Sequence, residues 1–231
     1  GRDWINFGND VPIYVKTATD ARFLRDLIES SEERKIDWFF YELSRATENA
    51  QTWKDVLANL ETELEEVKRR YPKGSIREEK IGTLTLYMKA LVEDLEKTSF
   101  TKRLELPYQI NVVPINRQSQ AFKELVVYSY LSEIIYQRKW LVVIDEASLF
   151  VPRGRGTGCK RIIQRLFKAG REAELFGIVS DQEITSIDES VRRQCWTWIL
   201  GMQTELGAQE RTIKQMPGNT VKKEDIATLG V

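Results

Sequence analysis

The chain has 231 residues, 42% hydrophobic and 30% charged, which is enough for one large or two modest folded domains. Its 35 basic and 35 acidic residues cancel, and the absence of histidine excludes Ser–His–Asp hydrolases, Cys–His proteases and the usual zinc hydrolases. Two cysteines, no apolar run of about 20 residues and no signal-peptide pattern predict a cytoplasmic protein without a membrane span.

The first part of the chain, residues 1–105, is predicted to be mainly helical, with one early strand at residues 11–16. Apolar residues recur at helical spacing over residues 51–70 and again over residues 81–97. The sequence Tyr-Pro-Lys-Gly at 71–74 separates these two stretches, so a helical hairpin packed on a core is predicted. A dimerising coiled coil is the alternative, although the pattern lasts for too few heptads to favour it.

Residues 106–231 show a different pattern, in which short apolar strands alternate with helices. The predicted strands are residues 110–115, 140–144, 176–180 and 196–202, and the predicted helices are residues 118–137, 160–170 and 186–195. This alternation predicts an α/β domain with a mostly parallel sheet covered on both faces. Ligands of such sheets bind beyond the carboxyl ends of the strands, so the polar residues there are the candidates for function.

Two adjacent acids, Asp145 and Glu146, follow the aliphatic strand residues 141–144. Two carboxylates at the tip of a buried strand are costly unless a cation or a reaction uses them. The pattern is that of the Walker B strand of P-loop NTPases, in which the first acid holds Mg²⁺ and the second acts on the attacking water. The alternative is an Asp-Glu pair that caps the next helix after an ordinary strand, since four hydrophobic residues before Asp-Glu also occur by chance.

Further pieces follow this strand in a specific order. Gly170-Arg171 ends a predicted helix, the next strand ends in Ser180-Asp181-Gln182, and a short helix leads to the strand at 196–202. In the order and spacing of these pieces, the stretch from about residue 107 to residue 216 resembles the HerA/FtsK superfamily of DNA pumps, most closely the archaeal HerA-type ATPases.

The resemblance implies a RecA-like α/β core, incomplete here, with a helical subdomain on its N-terminal side. It implies that Asp145 coordinates Mg²⁺, that Glu146 is the catalytic base, and that Gln182 senses the γ-phosphate of ATP. It also implies that Arg171 acts as an arginine finger on a neighbouring subunit.

The function implied by the resemblance is ATP-dependent movement of double-stranded DNA through a ring of subunits, expected to be a hexamer, with a nuclease as a further partner. A conjugative-secretion or viral-packaging ATPase of the same superfamily is one alternative. A catalytically inactive assembly or regulatory module is the other, although such a module has no need for Asp145, Glu146, Gln182 and Arg171 together.

The sequence departs from the family because it contains no Walker A loop, Gly-x-x-x-x-Gly-Lys-Ser/Thr. Either the chain begins downstream of that loop, or it is a degenerate member that binds no nucleotide. The start at Gly1 without methionine favours the first explanation, and residues 1–105 then correspond to an insertion between the two Walker motifs. The chain as given is expected to bind nucleotide poorly.

The nearest look-alike of a phosphate loop is the stretch 154–161, which has the wrong spacing and no hydroxyl after its lysine. We interpret it as a flexible basic loop. Its cations are candidate contacts to DNA phosphates: Arg153, Arg155, Lys160 and Arg161.

Overall fold

The fold consists of helices packed around two short parallel sheets. The computed structural model describes residues 9–17, 20–28, 44, 46–170, 173–197, 199 and 210. The strands are β1 (Asn9–Asp10), β2 (Asn111–Val112), β3 (Trp140–Ile144) and β4 (Leu175–Val179). The helices are α1 (Ala21–Ile28), α2 (Trp53–Arg70), α3 (Ile76–Lys97), α4 (Gln120–Ile134), α5 (Lys160–Ala169) and α6 (Glu189–Arg192). Short 3-10 turns, Ala147–Leu149 and Ile184–Ser186, follow β3 and β4.

The predicted helical hairpin is confirmed by α2 and α3, which pack against each other. Helix α2 begins with a capping box, in which the Thr52 hydroxyl accepts from the Asp55 amide and the Asp55 carboxylate accepts from the Thr52 amide at 2.9 Å. Helix α3 begins at Ile76, five residues before the predicted start at residue 81. The Ser75 hydroxyl caps it by accepting from the Glu78 amide at 3.2 Å, so the polar first turn belongs to the helix although it breaks the apolar spacing.

Helix α4 is the centre of the hydrophobic core. Ten of its residues are buried, and they lie around most of the helix rather than on one stripe. A helix that is apolar nearly all round must be covered on several sides, and here α3 and α5 both pack against it. The elements on either side of residue 105 therefore share one core.

The early strand predicted at residues 11–16 is wrong, since the strand β1 ends at Asp10 and only Tyr14 forms an isolated bridge, to Thr101. The segment is instead tied to α4 through Tyr130. The Tyr130 hydroxyl accepts from the Tyr14 amide at 3.2 Å and donates to the Pro12 carbonyl at 3.0 Å. Side-chain bonds to a helix and two backbone bonds to Thr101 thus replace a continuous ladder in this segment.

Both sheets are parallel, as the alternation of strands and helices predicted. β1 pairs with β2, and β3 pairs with β4 in register from Trp140 opposite Leu175 to Ile144 opposite Val179. Within the described residues the two pairs form separate sheets. The strand predicted at 196–202 lies outside the described residues apart from positions 196, 197 and 199.

The prediction that the sheet is buried on both faces is wrong for one face of β3 and β4. Helix α5 packs against β4, and Ile144 and Leu175 are buried. The opposite face is exposed through four apolar side chains, Leu141, Val143, Phe176 and Ile178, which are between 49% and 65% exposed. We call these four residues the open face. No described helix of the protein is long and apolar enough to cross a bilayer.

Candidate active site

The candidate site lies where β3 and β4 end side by side. Because Ile144 is in register with Val179, Asp145 and Ser180 follow at the same level. The ladder continues past the strand ends, with the Ser180 amide donating to the Ile144 carbonyl and the Ala147 amide donating to the Ser180 carbonyl, both at 3.0 Å. The Ser180 hydroxyl also donates to the Asp145 carboxylate. Asp145 is therefore held against β4 while its side chain stays exposed.

Glu146 has a left-handed backbone, with φ 50° and ψ 49°. This conformation costs a residue with a Cβ about 1–2 kcal/mol, so the surrounding structure must hold it. Glu146 starts the turn Ala147–Leu149, and its carbonyl accepts from the Leu149 amide at 2.9 Å. The chain thus bends sharply at the position predicted to be the catalytic base, and Glu146 is exposed there.

Asp181 belongs to the site, and the sequence did not single it out. Its carboxylate accepts from the Ser148 amide at 2.7 Å, from the Glu183 amide at 3.1 Å and from the Ser186 hydroxyl at 3.0 Å. Partial burial works to raise the pKa of Asp181, but these hydrogen bonds outweigh it and hold the pKa below the usual value. The signal in the sequence was an aspartate at the start of a polar turn. Its carboxylate can accept from the backbone N–H two residues later, which is typical of an Asx turn.

The structure brings most of the predicted catalytic residues to one edge. Gln182 is exposed and directly follows Asp181, so it lies in the loop that leaves β4, next to the β3 end that carries Asp145 and Glu146. Arg171 lies outside the described residues. The roles of these residues in binding or hydrolysis stay predictions.

The donor set at this edge fits a shared Mg²⁺ site and does not fit an all-protein metal cage. Mg²⁺ binds proteins through one or two carboxylates, keeps several waters and takes further oxygens from phosphates. Asp145 provides one exposed carboxylate, with the hydroxyl of Ser180 beside it. Among the residues that the structure describes, no group of three or more His, Cys, Asp or Glu side chains is arranged to hold a metal.

Two of the four predicted DNA-contacting cations take part in ion pairs within the fold. Lys160 Nζ lies 3.0 Å from Asp188 Oδ2, and Arg161 Nε lies 3.0 Å from Oδ1 of the buried Asp26. These pairs tie the first turn of α5 to α6 and α1. Such contacts reduce the availability of both side chains for phosphates.

The other two cations, Arg153 and Arg155, are exposed on either side of Gly154, whose φ is 70°. The Arg153 amide donates to the Ser186 carbonyl at 2.8 Å. The loop carrying these arginines is therefore joined to the turn that follows Gln182, beside the candidate site.

An open cavity separates the two sheets. Its volume is about 1140 Å³, and it is lined by the segment around β2, by α4 and by β3, with Asp145 and Glu146 at one end. The edge of β3 that does not pair with β4 faces this cavity. Within the described part of the chain, the sheet that carries the site is thus open at an edge as well as on the open face.

Comparisons with known proteins concern the fold. No protein-family model matches the chain, and a sequence comparison with curated proteins gives no match. The structure of VirB4 of Thermoanaerobacter pseudethanolicus is similar with a TM-score of 0.56 at 13% identity, over 91% of this chain and 62% of that chain. The structure of the genome packaging NTPase B204 from Sulfolobus turreted icosahedral virus 2, in complex with ATP-gammaS, gives a TM-score of 0.43 at 21% identity, over 53% of this chain and 58% of that chain.

The chain therefore spans less than two thirds of the length of either structure. The likeness to VirB4 agrees with the observed architecture, a mixed α/β fold with short parallel sheets that is consistent with part of a P-loop ATPase fold.

Proposed function

We propose that this chain is part of an ATP-hydrolysing motor of the HerA/FtsK superfamily and carries the acidic half of its active site. The observation that supports this most directly is the register of β3 and β4, which brings Asp145, Glu146, Ser180 and Gln182 to one sheet edge. The fold likeness to VirB4 supports the superfamily.

In this proposal Asp145 would hold Mg²⁺, with its carboxylate oriented by the Ser180 hydroxyl. Bound magnesium would neutralise charge on the phosphate oxygens of ATP. Glu146 accepts the proton of the attacking water, and the amide of Gln182 contacts the terminal phosphate. Arg171 stabilises the charge that develops on that phosphate in a neighbouring subunit.

The loop that binds the other phosphates is proposed to come from a segment of the full-length protein outside this sequence. The open face, and the edge of β3 that no described strand pairs with, support this, because parallel sheets are normally covered on both faces. Residues 1–105 then form the insertion between the two Walker motifs.

The proposed substrate of the motor is double-stranded DNA, moved through a ring of six subunits with a nuclease as a further partner. Arg153 and Arg155 are the cations most available for phosphate contacts, since both are exposed and Lys160 and Arg161 are paired. A conjugative-secretion or packaging ATPase of the same superfamily is the second candidate, and the likeness to VirB4 favours it.

The test is Mg²⁺-dependent ATP hydrolysis by the full-length protein with Glu146→Gln. The change removes the proton acceptor, so the rate is expected to fall about 10²-fold or more while ATP binding persists. Glu174→Gln is a matched control, because Glu174 is also exposed and left-handed, with φ 54°, but it lies at the opposite end of the strand pair. Unchanged hydrolysis in Glu146→Gln would mean that Glu146 is not the base.

A second measurement tests the missing phosphate loop. In isothermal titration the 231-residue chain is expected to give no ATP binding at micromolar concentration. Binding in that range would contradict the proposal that the loop comes from another segment.

A further inference from the structure

Asp181 connects two turns that carry different parts of the candidate site. Ser148, which donates to it at 2.7 Å, lies in the turn that starts at Glu146. Glu183 and Ser186, which donate at 3.1 and 3.0 Å, bracket the turn that follows Gln182. One carboxylate therefore holds the loop after β3 to the loop after β4.

We propose that Asp181 is a positioning residue that fixes Glu146 and Gln182 relative to each other. This inference rests on the proposed function, in which these two side chains act on the same phosphate. Asp181 does not itself touch the nucleotide in this proposal, and it acts through the backbone of the two turns.

A simpler role for Asp181 is to close its own turn, as many aspartates do. The bonds to Glu183 and Ser186 are sufficient for that role. The bond to the Ser148 amide is not needed for it, because Ser148 is 33 residues away in sequence and belongs to the other strand end. That bond is also the shortest of the three.

The left-handed backbone of Glu146 requires contacts that hold it, and the Ser148 bond is one of them. Glu146 leaves the strand in a conformation that residues other than glycine rarely adopt. Such conformations persist only where neighbouring contacts hold them. The described hydrogen bonds from that turn to other parts of the chain join the Ala147 amide to the Ser180 carbonyl, the Ser148 amide to Asp181, and the Leu149 carbonyl to the Gln120 side chain. Loss of the Ser148 bond removes the side-chain contact between this turn and the loop after β4, while the strand itself stays paired.

The variant that tests this is Asp181→Asn in the full-length protein. Asparagine keeps one acceptor oxygen, but its NH₂ group then opposes the backbone amide of either Ser148 or Glu183, so the side chain can no longer accept from both turns as the carboxylate does. Loss of a residue that orients a catalytic group typically costs about 10–100-fold. We therefore expect kcat for ATP hydrolysis to fall about 10–100-fold with KM for ATP within about threefold, since the change acts on the chemical step more than on binding.

Asp20→Asn is the matched control. Asp20 also accepts several hydrogen bonds, from the Arg22 amide at 2.8 Å and the Tyr128 hydroxyl at 2.5 Å, and they likewise hold its pKa low against partial burial. It lies at the start of α1, away from the ends of β3 and β4. We expect it to lower the melting temperature as Asp181→Asn does but to leave kcat unchanged.

A structural readout comes from the 231-residue chain, in which the Ser148 amide can be followed by NMR hydrogen exchange. Asp181→Asn is expected to reduce the protection of the Ser148 amide and to leave that of the Ser180 amide, which bonds to the Ile144 carbonyl, nearly unchanged. Unchanged protection at Ser148 would overturn the inference without any assay of ATP hydrolysis.

The outcomes separate this inference from the proposed function. If the full-length protein hydrolyses ATP and Glu146→Gln abolishes this, but Asp181→Asn behaves like Asp20→Asn, Asp181 only closes its turn and the inference is wrong. If Glu146→Gln has no effect, the assignment of Glu146 as the base fails, and the inference that depends on that assignment fails too.

Discussion

The Ser180 hydroxyl donates a hydrogen bond to the Asp145 carboxylate across the ends of two parallel strands. The two residues are 35 positions apart in the sequence, and only the register of β3 with β4 brings them together. The bond removes rotational freedom from an exposed carboxylate. A carboxylate held in this way is better prepared to bind a cation than a free surface acid.

Ser180→Ala is therefore expected to lower the apparent affinity of the full-length protein for Mg²⁺ during ATP hydrolysis. Without the hydroxyl, Asp145 loses its orienting partner but keeps its charge, so the Mg²⁺ concentration for half-maximal ATP hydrolysis should rise about 10-fold. Ser132→Ala is the control, because the Ser132 hydroxyl bonds to the Ser129 carbonyl within α4, at 2.9 Å, away from the strand ends. An unchanged Mg²⁺ dependence in Ser180→Ala would show that Asp145 does not need this bond.

The stability of the fold at acidic pH should depend on Asp188. Partial burial works to raise its pKa, but hydrogen bonds from Ser190 and the Lys160 ion pair hold the pKa below the usual value. A lowered pKa stabilises the fold above the unfolded value of about 4, and this contribution is lost as the pH falls through the folded value. Asp188→Asn should thus melt at a lower temperature than the wild type at pH 7, and the difference should shrink below pH of about 4. A difference that stays constant with pH would contradict this assignment.

Adjacent valines in β3 allow a test of the open face. Val142 packs against the core, whereas Val143 is 62% exposed. In the 231-residue chain, Val142→Ala should cost about 1 kcal/mol of unfolding free energy and Val143→Ala less than about 0.5 kcal/mol, measured by urea denaturation. If a further segment covers the open face in the full-length protein, as proposed above, the cost of Val143→Ala should rise there toward that of Val142→Ala. Equal costs in the short chain would mean that the open face is already covered.

The sequence predicted the elements whose signal is local. The helical spacing of apolar residues gave α2 closely, and the short apolar runs gave β3 and β4 to within a residue. The start of α3 was missed because a capping serine, not an apolar residue, determines it. The open face was missed because a continuous apolar strand is compatible with burial on either or both faces, and the covering elements decide which.

For the candidate site, the sequence predicted the acids but not the contacts that hold them. Asp145 and Glu146 are adjacent and follow an apolar strand, so their place at a strand end could be inferred from sequence alone. Ser180 and Asp181 gain their roles from partners on the other strand end, which depend on register. Lys160 and Arg161 were predicted as candidate DNA contacts because sequence does not reveal the carboxylates that pair with them.

Glu124 should give the opposite pH dependence to Asp188. It is almost fully buried in α4, where its carboxylate accepts from the Gly158 amide at 2.7 Å and the Gln120 side chain at 3.0 Å. Burial raises the pKa of Glu124 above its usual value despite these bonds. A raised pKa means that the folded state favours the protonated acid, so the stabilising contribution is present below the unfolded value of about 4.3 and is lost as the pH rises through the folded value.

Glu124→Gln places a neutral group of similar size at this position and removes the cost of a buried charge. The melting temperature of the variant relative to the wild type should therefore increase as the pH rises from about 4 to 7. That of Asp188→Asn should instead decrease as the pH rises toward about 4 and then stay nearly constant up to pH 7. Both series can be measured by thermal unfolding of the 231-residue chain in one set of buffers. If the melting temperature of Glu124→Gln relative to the wild type did not increase between about pH 4 and 7, Glu124 would not be a buried acid with a raised pKa. It would then be ionised over this whole range while it accepts from the Gly158 amide.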